Sequence, residues 1–159
     1  MKRAISMLLA TAALAVGVLA VPGQVGATNI GDEGCTPGYW KNHTENWEEF
    51  TPGTPLNVYS SNFTFPVALA SYRTVTFLQA LSFKGGPGVD GATQILMRAA
   101  VAAYLNAAHE GVGYPYRRYT EPFAIQAQVN AALASMNRDT MLSLAATLDA
   151  ANNLGCPLN

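Results

Sequence analysis

Two cysteines, Cys35 and Cys156, stand near the two ends of the chain behind an N-terminal leader, and they constrain its fold more than any other feature. Met1-Lys2-Arg3 is a short basic start, Ile5 to Val21 is an uncharged Ala/Leu/Val-rich run, and Val25-Gly26-Ala27 offers small residues for a peptidase. That three-part order is the pattern of a secretory signal peptide. A retained membrane anchor is the alternative, because the run is close to the lower limit of about 17 residues for spanning a bilayer. The small-residue site favours cleavage after Ala27, with Val18-Leu19-Ala20 as a second possible site. The expected organisation is a signal peptide over residues 1–27 and one secreted domain over residues 28–159, with no membrane span after cleavage. In an oxidising compartment the default for two cysteines is one disulfide. It would close a loop across 121 positions. Free thiols or metal ligands are the alternative, but the pair lacks the Cys-x-x-Cys spacing of a metal site.

Composition narrows the function classes. The chain carries nine Lys and Arg against ten Asp and Glu, and Lys2 and Arg3 leave with the signal. The secreted part is therefore mildly acidic, and no basic face for nucleic acid is expected. The two Trp, seven Tyr and six Phe all follow the leader, enough for an aromatic core with some rings left for the surface.

Residues 28–159 divide into an irregular, aromatic-rich first part and an Ala/Leu-rich second part. Thr36-Pro37-Gly38-Tyr39 has the Pro and Gly of a type II turn. Thr44 to Phe50 reads as one or two helical turns with Trp47 and Phe50 on one side. Thr51 to Pro66 reads as a long loop or short hairpin. Thr76-Phe77-Leu78-Gln79 fits a capping box ahead of an apolar helical stripe, while a strand remains open for part of Tyr72 to Thr76. Asp90 is the expected N-cap of a long helix, Ala92 to Glu110, apolar almost all round and hence central. Within it, Arg98 must either pair with a carboxylate or helix-end carbonyls or extend to the surface. Thr120 is the expected cap of a helix reaching about Met136 with Pro122 in its first turn, and a last helix runs from about Thr140 to Ala151. The fold class expected is a mainly α, single-domain bundle of about four helices with an irregular aromatic N-terminal segment and one disulfide.

Cys35-Thr36-Pro37-Gly38-Tyr39-Trp40-Lys41-Asn42-His43 resembles a motif found near the mature N-terminus of a group of secreted bacterial and fungal proteins. Further stretches are similar to that group in the same order: Trp47, Thr76 to Leu81, Ile95-Leu96-Met97-Arg98 through Leu105-Asn106, and Asn152 to Leu158. The resemblance implies a secreted protein and carries no chemistry onto these residues. Members of the group often have Pro after the motif's His, where this chain has Thr44.

Candidate chemistry comes from four places. Tyr39 and Trp40 could stack on a ligand while Lys41, Asn42 and His43 hydrogen-bond it; alternatively Trp40 anchors the core beside the disulfide. The loop Tyr114-Pro115-Tyr116-Arg117-Arg118-Tyr119 is a candidate recognition surface through Tyr114, Tyr116 and Arg117, since Tyr and Arg are enriched at interfaces; alternatively its tyrosines fold inward. His43 and His109 belong to no metal-binding spacing, so neither metal nor cofactor is expected. Paired-carboxylate hydrolysis would draw on Glu45, Glu48, Glu49, Glu110, Glu121 and Asp149, but no Gly-x-Ser-x-Gly elbow or phosphate-binding loop is present. Asn42-His43-Thr44 and Asn62-Phe63-Thr64 fit the glycosylation pattern, which matters only in a glycosylating source. The expected function is a non-catalytic extracellular module binding a surface component or partner protein. A small cell-wall or polysaccharide hydrolase, with or without assistance from a metal held by His43 or His109 and carboxylates, and a structural subunit of an extracellular assembly are the alternatives.

Overall fold

A computed structural model describes residues 31–57, 62–119 and 124–158. The expected signal peptide, residues 1–27, lies outside them. Five α-helices are present among these residues: α1 (Pro37–Asn42), α2 (Phe77–Leu81), α3 (Gly88–Ala108), α4 (Ile125–Ser135) and α5 (Arg138–Asn152). Short 3-10 segments at Thr44–Asn46 and Val67–Thr74 link the first of them. No sheet forms among the described residues; three isolated bridges pair Gly34 with Gly155, Pro55 with Thr76 and Arg117 with Ala124. The strand left open near Thr76 is thus a single bridge, and Thr51 to Pro66 is a loop wherever it is described. No helix among the described residues is long and apolar enough to cross a membrane.

Four local expectations need correction. Thr36 to Tyr39 is the start of α1 and not a type II turn. The Thr36 hydroxyl accepts the Tyr39 N–H at 3.1 Å, and Pro37 occupies the first helical position, where its fixed φ suits a helix as well as a turn. Thr44 to Phe50 makes only the 3-10 turn Thr44–Asn46, and Glu49 then adopts a left-handed φ of 60°. Helix α3 starts before Asp90, with Pro87 as N-cap. Asp90 lies in the first turn, where a carboxylate complements the helix dipole, and accepts the Tyr72 hydroxyl at 2.6 Å. Helix α5 starts at Arg138, because the Asn137 side chain accepts the Thr140 N–H at 3.0 Å. The cap expected at Thr120, with Pro122, lies outside the described residues. At the described start of α4, the N–H groups of Ile125 and Gln126 bond the carbonyls of Arg117 and Arg118. The capping box at α2 forms as the sequence predicts, with Gln79 N–H on Thr76 Oγ1 at 3.3 Å and Thr76 N–H on Gln79 Oε1 at 2.9 Å.

Helix α3 is the axis of the molecule. It is buried along most of its length and packs on every other helix, most extensively on α5. Alanines at 99, 100, 102 and 103 let the neighbours come close, and the larger Leu96, Met97, Tyr104 and Leu105 fill the spaces between them. Arg98 is half-buried and donates from Nη1 to the Phe83 carbonyl at 3.1 Å, just past the end of α2. The open question about this cation is answered by helix-end carbonyl bonding. On one side of α3, Phe50, Phe63, Phe77, Tyr104 and Tyr119 form an aromatic cluster with ring centroids 4.7–6.4 Å apart.

On the other side the segments around Cys35 and Cys156 meet. Cys35 and Cys156 form the expected disulfide, with Cα atoms 4.4 Å apart. In the chain-entropy picture a loop this long contributes roughly 4–5 kcal/mol. Beside it the Gly34 N–H donates to the Gly155 carbonyl at 2.9 Å. A Cβ at Gly34 would collide with the Ala151 carbonyl, so only glycine allows the arm to lie this close to α5.

Candidate functional site

The polar interior is built around Asn106. Its Oδ1 accepts the Cys35 N–H at 2.7 Å and the Trp40 indole N–H at 3.1 Å. Its Nδ2 donates to the Cys35 carbonyl at 2.8 Å and to Asn152 Oδ1 at 3.0 Å. A carboxamide has two acceptor and two donor positions, and all four are used. Asn152 Oδ1 also accepts the Tyr114 hydroxyl at 2.8 Å, and its Nδ2 reaches the Ala99 carbonyl at 3.0 Å. One buried network therefore joins the N-terminal arm, α3, α5 and the tyrosine loop. Burial raises the Tyr114 hydroxyl well above the ordinary tyrosine range, so it remains a neutral donor.

This network decides the fate of several candidate residues. Trp40 and Tyr114 are fully buried and face inward. Tyr39 is half-buried; its hydroxyl accepts from Asn46 at 2.6 Å and donates to the Leu158 carbonyl at 3.1 Å. Tyr116 is half-buried, edge-on to Tyr114 at 5.9 Å. Lys41, Asn42 and His43 are exposed at the end of α1. His43 stacks on Tyr39 at 4.4 Å and lies 3.1 Å from Glu45. That contact and a backbone hydrogen bond hold the Glu45 carboxyl below its usual range, the backbone bond contributing more. Tyr119 is exposed at the rim of the aromatic cluster. Arg118 makes a two-pronged bond to Glu49, both distances 2.7 Å, over the rings of Phe50 and Tyr119. The eight candidate residues thus do not form one surface.

Arg117 leads to a site that composition and spacing did not reveal. Where α3 ends, a half-open cleft of about 550 Å³ is lined by Glu33, His109, Glu110, Gly111, Gly113 and Arg117, with the last residues of α3 as its floor. Glu33 comes from the N-terminal arm. Its Oε2 accepts the Gly113 N–H at 2.7 Å, and its own N–H bonds the Gly113 carbonyl at 3.2 Å. Gly31 and Gly113 touch backbone to backbone, leaving no room for a side chain at Gly31. Glu48 reaches in from the α1–α2 connection and accepts the Glu110 N–H at 2.8 Å. Neither Glu110 nor Arg117 forms an ion pair with another described residue.

His109 is the one group of the cleft with the look of a catalyst, since Nε2 lies 3.5 Å from Glu48. Its other nitrogen, Nδ1, accepts the Gly111 N–H at 3.0 Å. That bond assigns the proton to Nε2, facing the carboxylate. A general base needs a lone pair within reach of substrate, and here the lone pair serves the turn. His43 packs on Tyr39 and His109 on Trp40. Among the described residues no group of three or more His, Cys, Asp or Glu side chains is gathered to hold a metal ion.

Spacing missed Glu33, marked Glu110 only as a carboxylate for hydrolysis, and gave no bonding role to Asn106. A lone Asn within an Ala/Leu helix was the available signal for the last. Nothing local marks Glu33, whose partner is eighty positions away. Compared with protein families, with proteins of described function and with solved structures, the chain matches none.

Proposed function

We propose that this protein is a secreted, non-catalytic recognition module whose ligand occupies the cleft at the C-terminal end of α3. The observation that carries the reading is the pairing state of the cleft: Glu110 and Arg117 line it without an ion pair to any described residue, while His109 has both nitrogens engaged. The end of a helix carries partial negative charge from its last carbonyls. Together with Glu33 and Glu110 it favours a cationic group, and Arg117 on the loop side offers a second, anion-binding contact. The ligand class is a surface component or partner protein that presents a cationic group next to an acceptor. The disulfide and the Asn106 network hold the walls in place, so little ordering would oppose binding.

The test is retention of the purified protein on immobilised amine-bearing oligosaccharide and on a lysine-containing peptide. Glu110→Gln combined with Arg117→Ala should weaken binding about tenfold or more, as expected for charge-assisted hydrogen bonds, with an unchanged melting temperature. Equal retention of the variant and the parent protein would remove the cleft from consideration. The hydrolase reading rests on His109 beside Glu48. It predicts turnover of cell-wall polysaccharide that His109→Gln abolishes, and the bonding of Nδ1 leads us to expect none.

A further inference from the structure

A second concavity lies on the α3–α5 face, about two and a half helical turns from the cleft along α3. It has two parts that share Arg98 and Asp149. One is a dent of about 150 Å³ between Ile95, Ala99, Leu142, Ala145 and Ala146. The other is a shallower space of about 400 Å³ between Pro37, Gly38, Lys41, Leu81 and Asn153. The dent exists because α3 and α5 cross through alanines, whose methyl groups form its floor, while Ile95 and Leu142 stand as walls. The charged end is also a consequence of packing. Lys41 is delivered by the last turn of α1, and Arg98 is held by its bond to the Phe83 carbonyl. Among the described residues Lys41, Arg98 and Asp149 form no ion pair, although all three line the same space.

We infer that this groove binds the C-terminus of a protein or peptide whose last residue is apolar. The apolar part is the size that holds a benzene-sized group in a dry cavity, so it takes one Leu, Ile, Val or Phe side chain and excludes a long acyl chain. The two cations are placed for the terminal carboxylate. Arg98 is already fixed through Nη1 and keeps its remaining N–H groups for a carboxylate, while Lys41 adds a movable second charge. Asp149 is placed to accept a peptide N–H from the residue before the end. An internal segment brings a carboxylate only through an Asp or Glu side chain, whereas a chain terminus brings one directly beside an apolar last side chain. The groove stands on different residues from the cleft, and neither assignment depends on the other.

The experiment is fluorescence anisotropy with the purified protein and fluorescein-labelled Gly-Ser-Gly-Leu, as the free acid and as the C-terminal amide. Peptides ending in Ile, Val, Phe and Ser complete the set. The free acids with apolar ends should bind, and the amide and the Ser peptide should bind about tenfold more weakly or worse. Lys41→Glu should weaken the free acid and leave the amide unchanged. Ala146→Trp, at an exposed position of α5 beside the dent, should remove binding without altering the melting temperature. The inference is overturned if no apolar free acid binds at about 1 mM, or if acid and amide bind alike. It is equally overturned if decanoate displaces the peptide more strongly than unlabelled peptide does, which would give the groove to a lipid acid. A Lys41-dependent dimer in sedimentation would give it to a second copy of the chain and overturn the inference too.

Discussion

Tyr114 and Tyr104 are both fully buried, yet they occupy opposite kinds of interior. Tyr114 belongs to the tied end of the molecule, where its hydroxyl bonds Asn152 and, through it, Asn106. Tyr104 belongs to the aromatic end, packed among Phe50, Phe63, Phe77 and Tyr119. Its buried hydroxyl lies near Tyr119 and makes no hydrogen bond of good geometry to any described residue. The same residue type thus serves as a connector in one place and as a space filler in the other. The difference lies in direction. Hydrogen bonds at the tied end fix which chain segments meet, whereas ring packing at the aromatic end contributes buried area that several arrangements could supply.

The largest expected effect is at Asn106. Asn106→Leu leaves the Cys35 N–H, the Cys35 carbonyl and the Trp40 indole without their partner, while Asn152 keeps its bonds to Tyr114 and Ala99. At about 1–3 kcal/mol for each buried orphan, urea unfolding should show a loss of about 4 kcal/mol or more, a large fraction of a domain's stability. A loss under about 1 kcal/mol would mean that the tied end is held by the disulfide alone. Tyr114→Phe comes next, because it removes one donor and leaves Asn152 Oδ1 its bond to Asn106. The expected cost is about 1 kcal/mol by the same measurement.

Alkaline pH separates buried tyrosines from surface ones. Burial, and secondarily the hydrogen bond to the Asp90 carboxylate, push Tyr72 up to about 12 from the ordinary value of 10. Between these values the unfolded chain has released the proton and the folded chain still holds it, so stability falls as pH rises. Below pH 10 the group contributes no slope. Chemical unfolding at pH 9, 10 and 11.5 should show a flat part followed by a decline, and Tyr72→Phe should make the decline shallower. An identical decline in the variant would assign the slope to other groups.

The smallest expected effect is the one most opposed to the Tyr114 result. Tyr104→Phe removes a hydroxyl that has no well-formed hydrogen bond among the described residues, so its burial cost disappears and little bonding is lost. Stability should be unchanged or rise by about 1 kcal/mol. Equal losses for Tyr104→Phe and Tyr114→Phe would erase the distinction between the two ends.

Much of the helical framework was legible along the chain because its signals are local. The capping box at Thr76 and the long apolar run of α3 each act within a few turns. The boundaries that shifted did so for similarly local reasons: Thr36 and Asn137 cap helices that sequence reading began later or read as a turn, and α3 already begins at Gly88. The candidate surface was less legible. Tyr39, Trp40, Tyr114, Tyr116 and Arg117 look alike as a set of sticky residues, and only their neighbours decide which of them water reaches.

By itself, then, the sequence determined a mainly helical domain with its two cysteines joined, because helix periodicity, caps and cysteine count are properties of short stretches and of composition. Tertiary structure alone decided that Trp40 and Tyr114 turn inward to one amide network, that Glu33 meets Gly113 to shape a cleft, and that Lys41 and Arg98 share a groove. Burial and hydrogen bonding depend on groups brought together from 38 to 80 positions apart. No pattern along a chain encodes such distances until the helices have packed.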